Sequence, residues 1–160
     1  MRYLMRSRVT WFIVTGLLGL FVAIAAAQKS GDGAAQKRKT VMITRLYTGQ
    51  DGQTHAEEIE AKFAPGGNNE VFKMMGTTGA QLTRAKPGTV IDWHTAPRRQ
   101  YVITLSGQGE IEVAGGKKLS IGPGHIDLVE DTTGKGHITR VVGTEDRVTL
   151  QLPLADQSGK

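Results

Sequence analysis

The stretch Gly88-Thr-Val-Ile-Asp-Trp-His-Thr-Ala-Pro-Arg-Arg-Gln-Tyr-Val-Ile-Thr-Leu-Ser-Gly107 decides the fold. It opens on a glycine after Pro87 and runs as an extended segment, Val90 to His94. It then passes Pro97 and two arginines and climbs through the apolar run Tyr101 to Leu105 to a second glycine. Short β-rich runs bounded by glycine and proline read as strands bounded by turns. A second stretch, Gly122 to His137, repeats the plan and ends on another histidine. Two histidines on neighbouring strands of a β-barrel would face one cavity.

The same rhythm extends outward from these two stretches. Strands are expected at Ala80 to Ala85, Val90 to His94, Arg99 to Ser106, Glu110 to Val113, Lys118 to Ile121, Ile126 to Glu130, His137 to Val142 and Arg147 to Leu152. Between them lie the turn signals Pro87-Gly88, Gly107-Gln108-Gly109, Gly115-Gly116, Gly122-Pro123-Gly124, Gly134-Lys135-Gly136 and Gly143. Such spacing argues for a sandwich or barrel. Upstream, Val41 to Tyr47 reads as a strand and Glu57 to Phe63 as a half-buried one, by its alternation of Ile59, Ala61 and Phe63 with charge. Pro65 to Asn69 reads as loop, and Val71 to Met75 as either a short strand or a helical turn. Tyr101 to Leu105 is apolar on both faces, so it is covered on both sides. One cover is the barrel interior; the other is the N-terminal strands or a second subunit, and a homodimer packed on this sheet is expected.

Composition agrees. Glycine accounts for 21 of 160 residues and is scattered between apolar runs, as in an all-β chain with many turns. Cysteine is absent, which excludes disulfides, zinc-thiolate sites and thiol nucleophiles. Arg2, Arg6 and Arg8 precede an uncharged run, Trp11 to Ala27, that ends in three alanines. This is the form of a secretory signal cleaved after Ala27. The competing form is an uncleaved anchor, since 17 residues are just enough for a span. Only the second would make a membrane a partner. In either form the domain is exported, to the periplasm or cell surface of a bacterium. Residues 28–39 read as a flexible linker and 40–154 as the folded domain.

The charge balance of 20 basic against 15 acidic residues falls to 17 against 15 once 1–27 are removed. The high pI is therefore no argument for a nucleic-acid partner, and none is expected. The Lys135 glycine turn is followed by no helix, so it is not a phosphate loop, and no serine sits in a nucleophile elbow, so a serine hydrolase is not expected.

At this point the residues match a known pattern. Gly88, His94, Ala96, Gln100 and Gly107 have the spacing of the first motif of the cupin superfamily, and Gly124 with Gly134-Lys135-Gly136-His137 resembles the second. The match covers roughly Ala80 to Leu152, and it is similar to a group of small single-domain cupins. The resemblance implies a double-stranded jelly-roll β-barrel whose cavity is lined by both motifs. It also implies a metal site of three histidines and a glutamate. Here only His94 and His137 stand in ligand positions, while Ala96 and Gln100 replace the second histidine and the glutamate. Alanine has no donor atom, and a neutral amide oxygen is a poor ligand for a transition metal.

The expected ligand-binding residues are His94, Arg98, Gln100, Glu130 and His137. Gln100 faces the cavity if alternation runs on from His94. Arg98 and Arg99 point to opposite faces, so at most one lines the cavity. An arginine there would grip a carboxylate or phosphate, whereas the alternative is a salt bridge to Glu130 or Asp131. A metal would need a carboxylate beside His94 and His137, from Asp92, Glu130 or Asp131. Asp92 is two residues before His94, and plain alternation puts both on one face. The expected function is binding of a small polar or anionic molecule in the barrel. Its competitor is a metal-dependent enzyme of dioxygenase or isomerase type, using His94, His137, a nearby carboxylate and iron, manganese or zinc.

Overall fold

The structure, a computed structural model, describes residues 39–155. The expected signal segment and all but the last residue of the expected linker lie outside the described residues. β1 (Met42–Thr48) and β2 (Thr54–Glu60) form a hairpin, and β3 (Ala64–Gly66) and β4 (Asn69–Val71) a miniature one. Eight strands follow: β5 (Gln81–Ala85), β6 (Val90–His94), β7 (Gln100–Ser106), β8 (Gln108–Glu112), β9 (Lys118–Ile121), β10 (Ile126–Val129), β11 (His137–Val142) and β12 (Arg147–Pro153).

Their pairing is nested. β8 pairs with β9, β7 with β10, β6 with β11 and β5 with β12, all antiparallel. That is one long hairpin. Rolling it up adds the antiparallel pairs β7·β12 and β8·β11, which join the arms. The result is a six-stranded sheet, β2-β1-β10-β7-β12-β5, facing a four-stranded one, β6-β11-β8-β9. This strand order is a double-stranded jelly roll, the fold class implied by the two glycine–histidine spacings.

The expected strands differ from the observed ones mainly at the N-terminal side. β2 starts at Thr54 rather than Glu57, because a short turn aligns Thr48 with Thr54 and the whole strand follows from that register. Pro65 to Asn69 is not all loop but holds the turn of the β3·β4 hairpin. Of the undecided Val71 to Met75, Val71 closes β4, and the rest crosses the outer face of the six-stranded sheet without regular structure. Phe72, Met74 and Met75 pack there on Ile43, Tyr101 and Leu128. The second cover on the start of the Tyr101 strand is therefore this segment. Leu82 and Leu105, further along the same face, are exposed.

The barrel interior is divided. Leu46, Ile111, Val113, Ile121 and Val129 fill one part with apolar side chains. The other part, bounded by β5, β6, β7, β10, β11 and β12, holds the cavity.

Candidate functional site

The cavity measures about 160 Å³ and is lined from both sheets. His94 ends β6 and His137 begins β11, and the two are opposite one another in the ladder. Their ring centroids lie 4.4 Å apart, with planes tilted by 55°. Each ring is held at Nδ1. His94 Nδ1 donates to the Asp92 carbonyl at 2.8 Å, and His137 Nδ1 donates to Asp131 Oδ2 at 2.6 Å. A carbonyl and a carboxylate only accept, so Nδ1 carries a proton in both rings, and in the neutral form of each Nε2 keeps its lone pair. The pair thus offers two acceptor nitrogens, which can take a hydrogen bond, a proton or a cation.

Gln100 opens β7 and lines the cavity, although the alternation from His94 is broken on the way, since Arg98 of the same parity lies outside. It is buried, and no protein group pairs with its Oε1. Ala96 lies buried beside the histidines and is backbone-bonded to the Asp131 carbonyl.

Three expected site residues are elsewhere. Asp92 does not share a face with His94. The β6·β11 ladder shifts register between His137 and Thr139, so that His137 meets His94 but Thr139 meets Ile91. Two residues of β6 then oppose one of β11, as in a β-bulge, and alternation is broken there. Ile91 and His94 line the cavity, whereas Asp92 is exposed with its carboxylate on the Trp93 amide. Arg98 is exposed and donates to Gln81; the segment between β6 and β7 carries it outside the barrel. Glu130 lies just past β10, where it accepts from Arg45 Nε at 2.6 Å and from Arg99 Nε at 2.9 Å, with a further bond from Arg99 Nη2. Burial pushes its carboxyl up, but the bonds from Arg99 and Arg45 outweigh that and hold it below its ordinary value. Glu130 is a clamp between β1, β7 and β10, and not a ligand contact.

Asp131 has a role that the spacing alone did not assign. It is fully buried, and Oδ2 also accepts from the Thr54 hydroxyl at 2.9 Å. Thr54 comes from β2, so the N-terminal hairpin reaches the His137 ring through one carboxylate. Such outer partners fix both tautomer and ring orientation.

Deeper in the cavity are Asp127 on β10 and Arg147 on β12, with Thr149. Arg147 Nη2 donates to Thr104 at 2.9 Å, and burial pushes its guanidinium below its ordinary value against the pull of Asp127. Asp127 Oδ1 bonds His125 Nε2 at 3.0 Å. That bond, with the charge of Asp127 behind it, raises the His125 pKa against the opposing effect of burial. A group whose folded pKa is raised stabilises fully below its unfolded value, about 6.5 for histidine, and the contribution disappears as pH rises through the folded value. The thermal midpoint of the wild type is therefore expected to fall between pH 6 and 9, and to fall less in His125→Gln. Parallel pH curves for the two proteins would remove His125 as the cause. His125, although it stands in the glycine-rich turn before β10, is half-buried and bonded.

Among the described residues, no group of three or more histidine, cysteine, aspartate or glutamate side chains is placed to hold a metal ion. The donor set at the histidines is two Nε2 atoms and an amide. It lacks the carboxylate that a three-ligand iron site would require, and so does not fit the site that the resemblance implies.

No family model matches the chain, and no curated protein matches it. Solved structures do. An uncharacterized conserved protein with a double-stranded β-helix domain from Klebsiella pneumoniae is 19% identical at a TM-score of 0.41, over 60% of this chain and 85% of that one. A cupin-2 domain containing protein from Shewanella frigidimarina is 14% identical at a TM-score of 0.39, over 53% and 78%. A conserved protein of unknown function from Streptococcus pyogenes is 18% identical at 0.41, over 54% and 72%. These likenesses are distant, and the nested strand order of the chain itself carries the assignment. The chain is a small protein of the cupin fold, a double-stranded β-barrel with a histidine-lined cavity.

Proposed function

We propose that this is an exported binding protein that takes a small polar molecule in its barrel. One observation carries the reading. His94 and His137 stand side by side at the cavity, each held at Nδ1 with its Nε2 uncommitted, beside the unpaired Gln100 Oε1. Fixing three acceptors around one space, with His137 and Gln100 buried, is the arrangement of a ligand site, where a few placed polar groups set orientation. The anionic variant of the reading depended on Arg98, which lies outside the barrel.

The competing reading, a metal-dependent dioxygenase or isomerase, needs a carboxylate on the histidine pair. Asp92 faces away, Glu130 is held by two arginines, and Asp131 is committed behind His137. Elemental analysis of the full chain, purified without chelator or metal-binding tag, separates the two. Less than about a tenth of an equivalent of iron, manganese or zinc is expected, before and after soaking. Near-stoichiometric metal that is lost on His94→Ala would overturn the binding-protein reading.

Export rests on Arg2, Arg6, Arg8 and the Trp11 to Ala27 run, which lie outside the described residues. A homodimer is supported by the exposed Leu82 and Leu105 on the outer face of the six-stranded sheet. Intact mass and sedimentation of the same preparation test both. An unprocessed cytoplasmic chain, or a monomer at micromolar concentration, would remove the corresponding proposal.

A further inference from the structure

The cavity holds buried polar atoms that nothing in the protein satisfies, and their chemistry describes a ligand. Gln100 Oε1, Asp127 Oδ2 and Arg147 Nε have no protein partner. The three residues are 6%, 1% and 8% exposed, and all of them line the same space. A buried polar group without a partner costs about 1–3 kcal/mol, so three in one cavity form a pattern that asks for a cause.

The atoms fall into two ends. At the outer end are Gln100 Oε1 and the two histidine Nε2 atoms, all of them acceptors. At the inner end, Asp127 Oδ2 accepts and Arg147 Nε donates. Asp127 is engaged at its other oxygen by His125, and Arg147 at Nη2 by Thr104, and the two make no direct ion pair with each other. Along β7, Val102 is the register partner of Asp127, and Thr104 is the residue that Arg147 binds. The inner end is thus two to four residues from Gln100, or roughly 7–13 Å along the strand.

Four acceptors and one donor constrain what can lie between them. A carboxylate or a fully ionised phosphate would satisfy Arg147 Nε but has no hydrogen for Asp127, Gln100 or the histidines, and either would meet the Asp127 carboxylate as a like charge. An ammonium ion would satisfy the acceptors but meet Arg147 as a like charge. A hydroxyl group both donates and accepts. One hydroxyl can accept from Arg147 Nε and donate to Asp127 Oδ2, and others can donate to Gln100 Oε1 and a histidine Nε2. The opposite charges of Asp127 and Arg147 favour a ligand without net charge. The volume equals that of about five water molecules, which suits a single linear polyol or sugar ring.

We infer that the cavity takes a small neutral polyhydroxylated molecule, with one hydroxyl bridging Arg147 and Asp127 and others on Gln100 and the histidine pair. This rests on the proposed binding function and narrows it to one ligand class.

The test is titration of the full chain with three probe classes: the polyols xylitol, myo-inositol and D-glucose; the dicarboxylate succinate; and the diamine putrescine. Saturation-transfer NMR and calorimetry read binding. At least one polyol is expected to bind while succinate and putrescine do not, and Arg147→Met and Asp127→Asn are each expected to weaken it at least tenfold. Binding of succinate or putrescine in preference to every polyol, lost on His94→Ala, would overturn the inference while leaving the cavity as a ligand site. Binding of none of the three classes would take the binding reading down as well. Should the two variants fail to fold, a crystal of the wild-type chain soaked in xylitol decides. A hydroxyl within hydrogen-bond distance of both Arg147 Nε and Asp127 Oδ2 is expected there, and ordered water alone in that place would overturn the inference.

Discussion

Asp131→Ala is expected to lower stability by about 3 kcal/mol, and the thermal midpoint by roughly 10 °C or more. Asp131 is fully buried, and one of its oxygens accepts both from His137 Nδ1 at 2.6 Å and from Thr54 Oγ1 at 2.9 Å. Truncation strips partners from two buried donors at once, and a buried group left unpaired costs more than its bond contributed. It also unties β2 from the start of β11. Asp131→Asn keeps one acceptor in place and is expected to cost about half as much. Urea denaturation of the three proteins reads the difference. A cost under about 1 kcal/mol for the alanine variant would show that His137 is held by its packing and not by this carboxylate. The second effect of the alanine variant is on function. A His137 ring free at Nδ1 changes tautomer, so any ligand affinity that depends on an Nε2 lone pair should fall even where the fold survives.

Gly136→Ala is expected to be more damaging still. Gly136 has a φ of +77°, and a Cβ there would lie 2.0 Å from the His94 carbonyl oxygen and 2.7 Å from the Thr95 nitrogen. Both are backbone atoms, at the last residue of β6 and the residue after it, so neither can rotate away. Gly143, with a φ of +80° and nothing within 4 Å of its Cβ position, is the internal control. Gly143→Ala should cost only the left-handed backbone penalty, about 1–2 kcal/mol. Gly136→Ala adds a steric collision to the same penalty and should exceed it by about 2 kcal/mol or leave no folded protein. Equal costs for the two variants would mean that the β6·β11 start can shift freely, and that the histidine spacing is not fixed by the turn. The turn is tied down from several sides: Lys135 N donates to the Gly52 carbonyl, Thr48 bonds the Thr133 carbonyl, and the Lys135 ammonium sits 3.8 Å from the Trp93 ring centroid.

Much of the fold was legible because period-2 alternation and glycine turns are local signals. β6, β9 and β11 fall at the expected residues, whereas the count that turns Gln100 inward also turns Arg98 inward, and Arg98 lies outside. Asp92 was misread by the same count. The shift between His137 and Thr139 belongs to the ladder between two strands, and no property of Val90 to His94 alone announces it. Adjacent Arg98 and Arg99 do diverge, as adjacency requires, but which of them meets Glu130 depends on a segment of irregular backbone. Asp127 and Arg147 escaped notice for a different reason. In β10 and β12 the polar residues alternate with apolar ones, and the usual reading sends polar residues to solvent. Here Asp127, Arg147 and Thr149 face inward. On the other face, Leu128 and Leu152 are packed under Phe72, Met74 and Met75. The pattern was visible in the sequence, but its sense was inverted by a covering segment whose own structure the sequence left open.

The nested pairing sets an order in which the molecule can come into being. The β8·β9 pair closes a loop of five residues, whereas the β5·β12 pair closes one of sixty-one. Closing the longer loop directly would cost about 2 kcal/mol more in chain entropy. Zipping outward from the β8 turn avoids that cost, since each new pair then adds only a short connection to a structure already formed. Of the cavity's polar residues, Thr83, Arg147 and Thr149 come from the outermost pair, β5·β12, and Asp127 from β10. In this order the outermost pair is the last to close. An incompletely folded chain of this kind has an apolar half-core and no chamber, so the capacity to hold a guest and the completion of the fold are a single event.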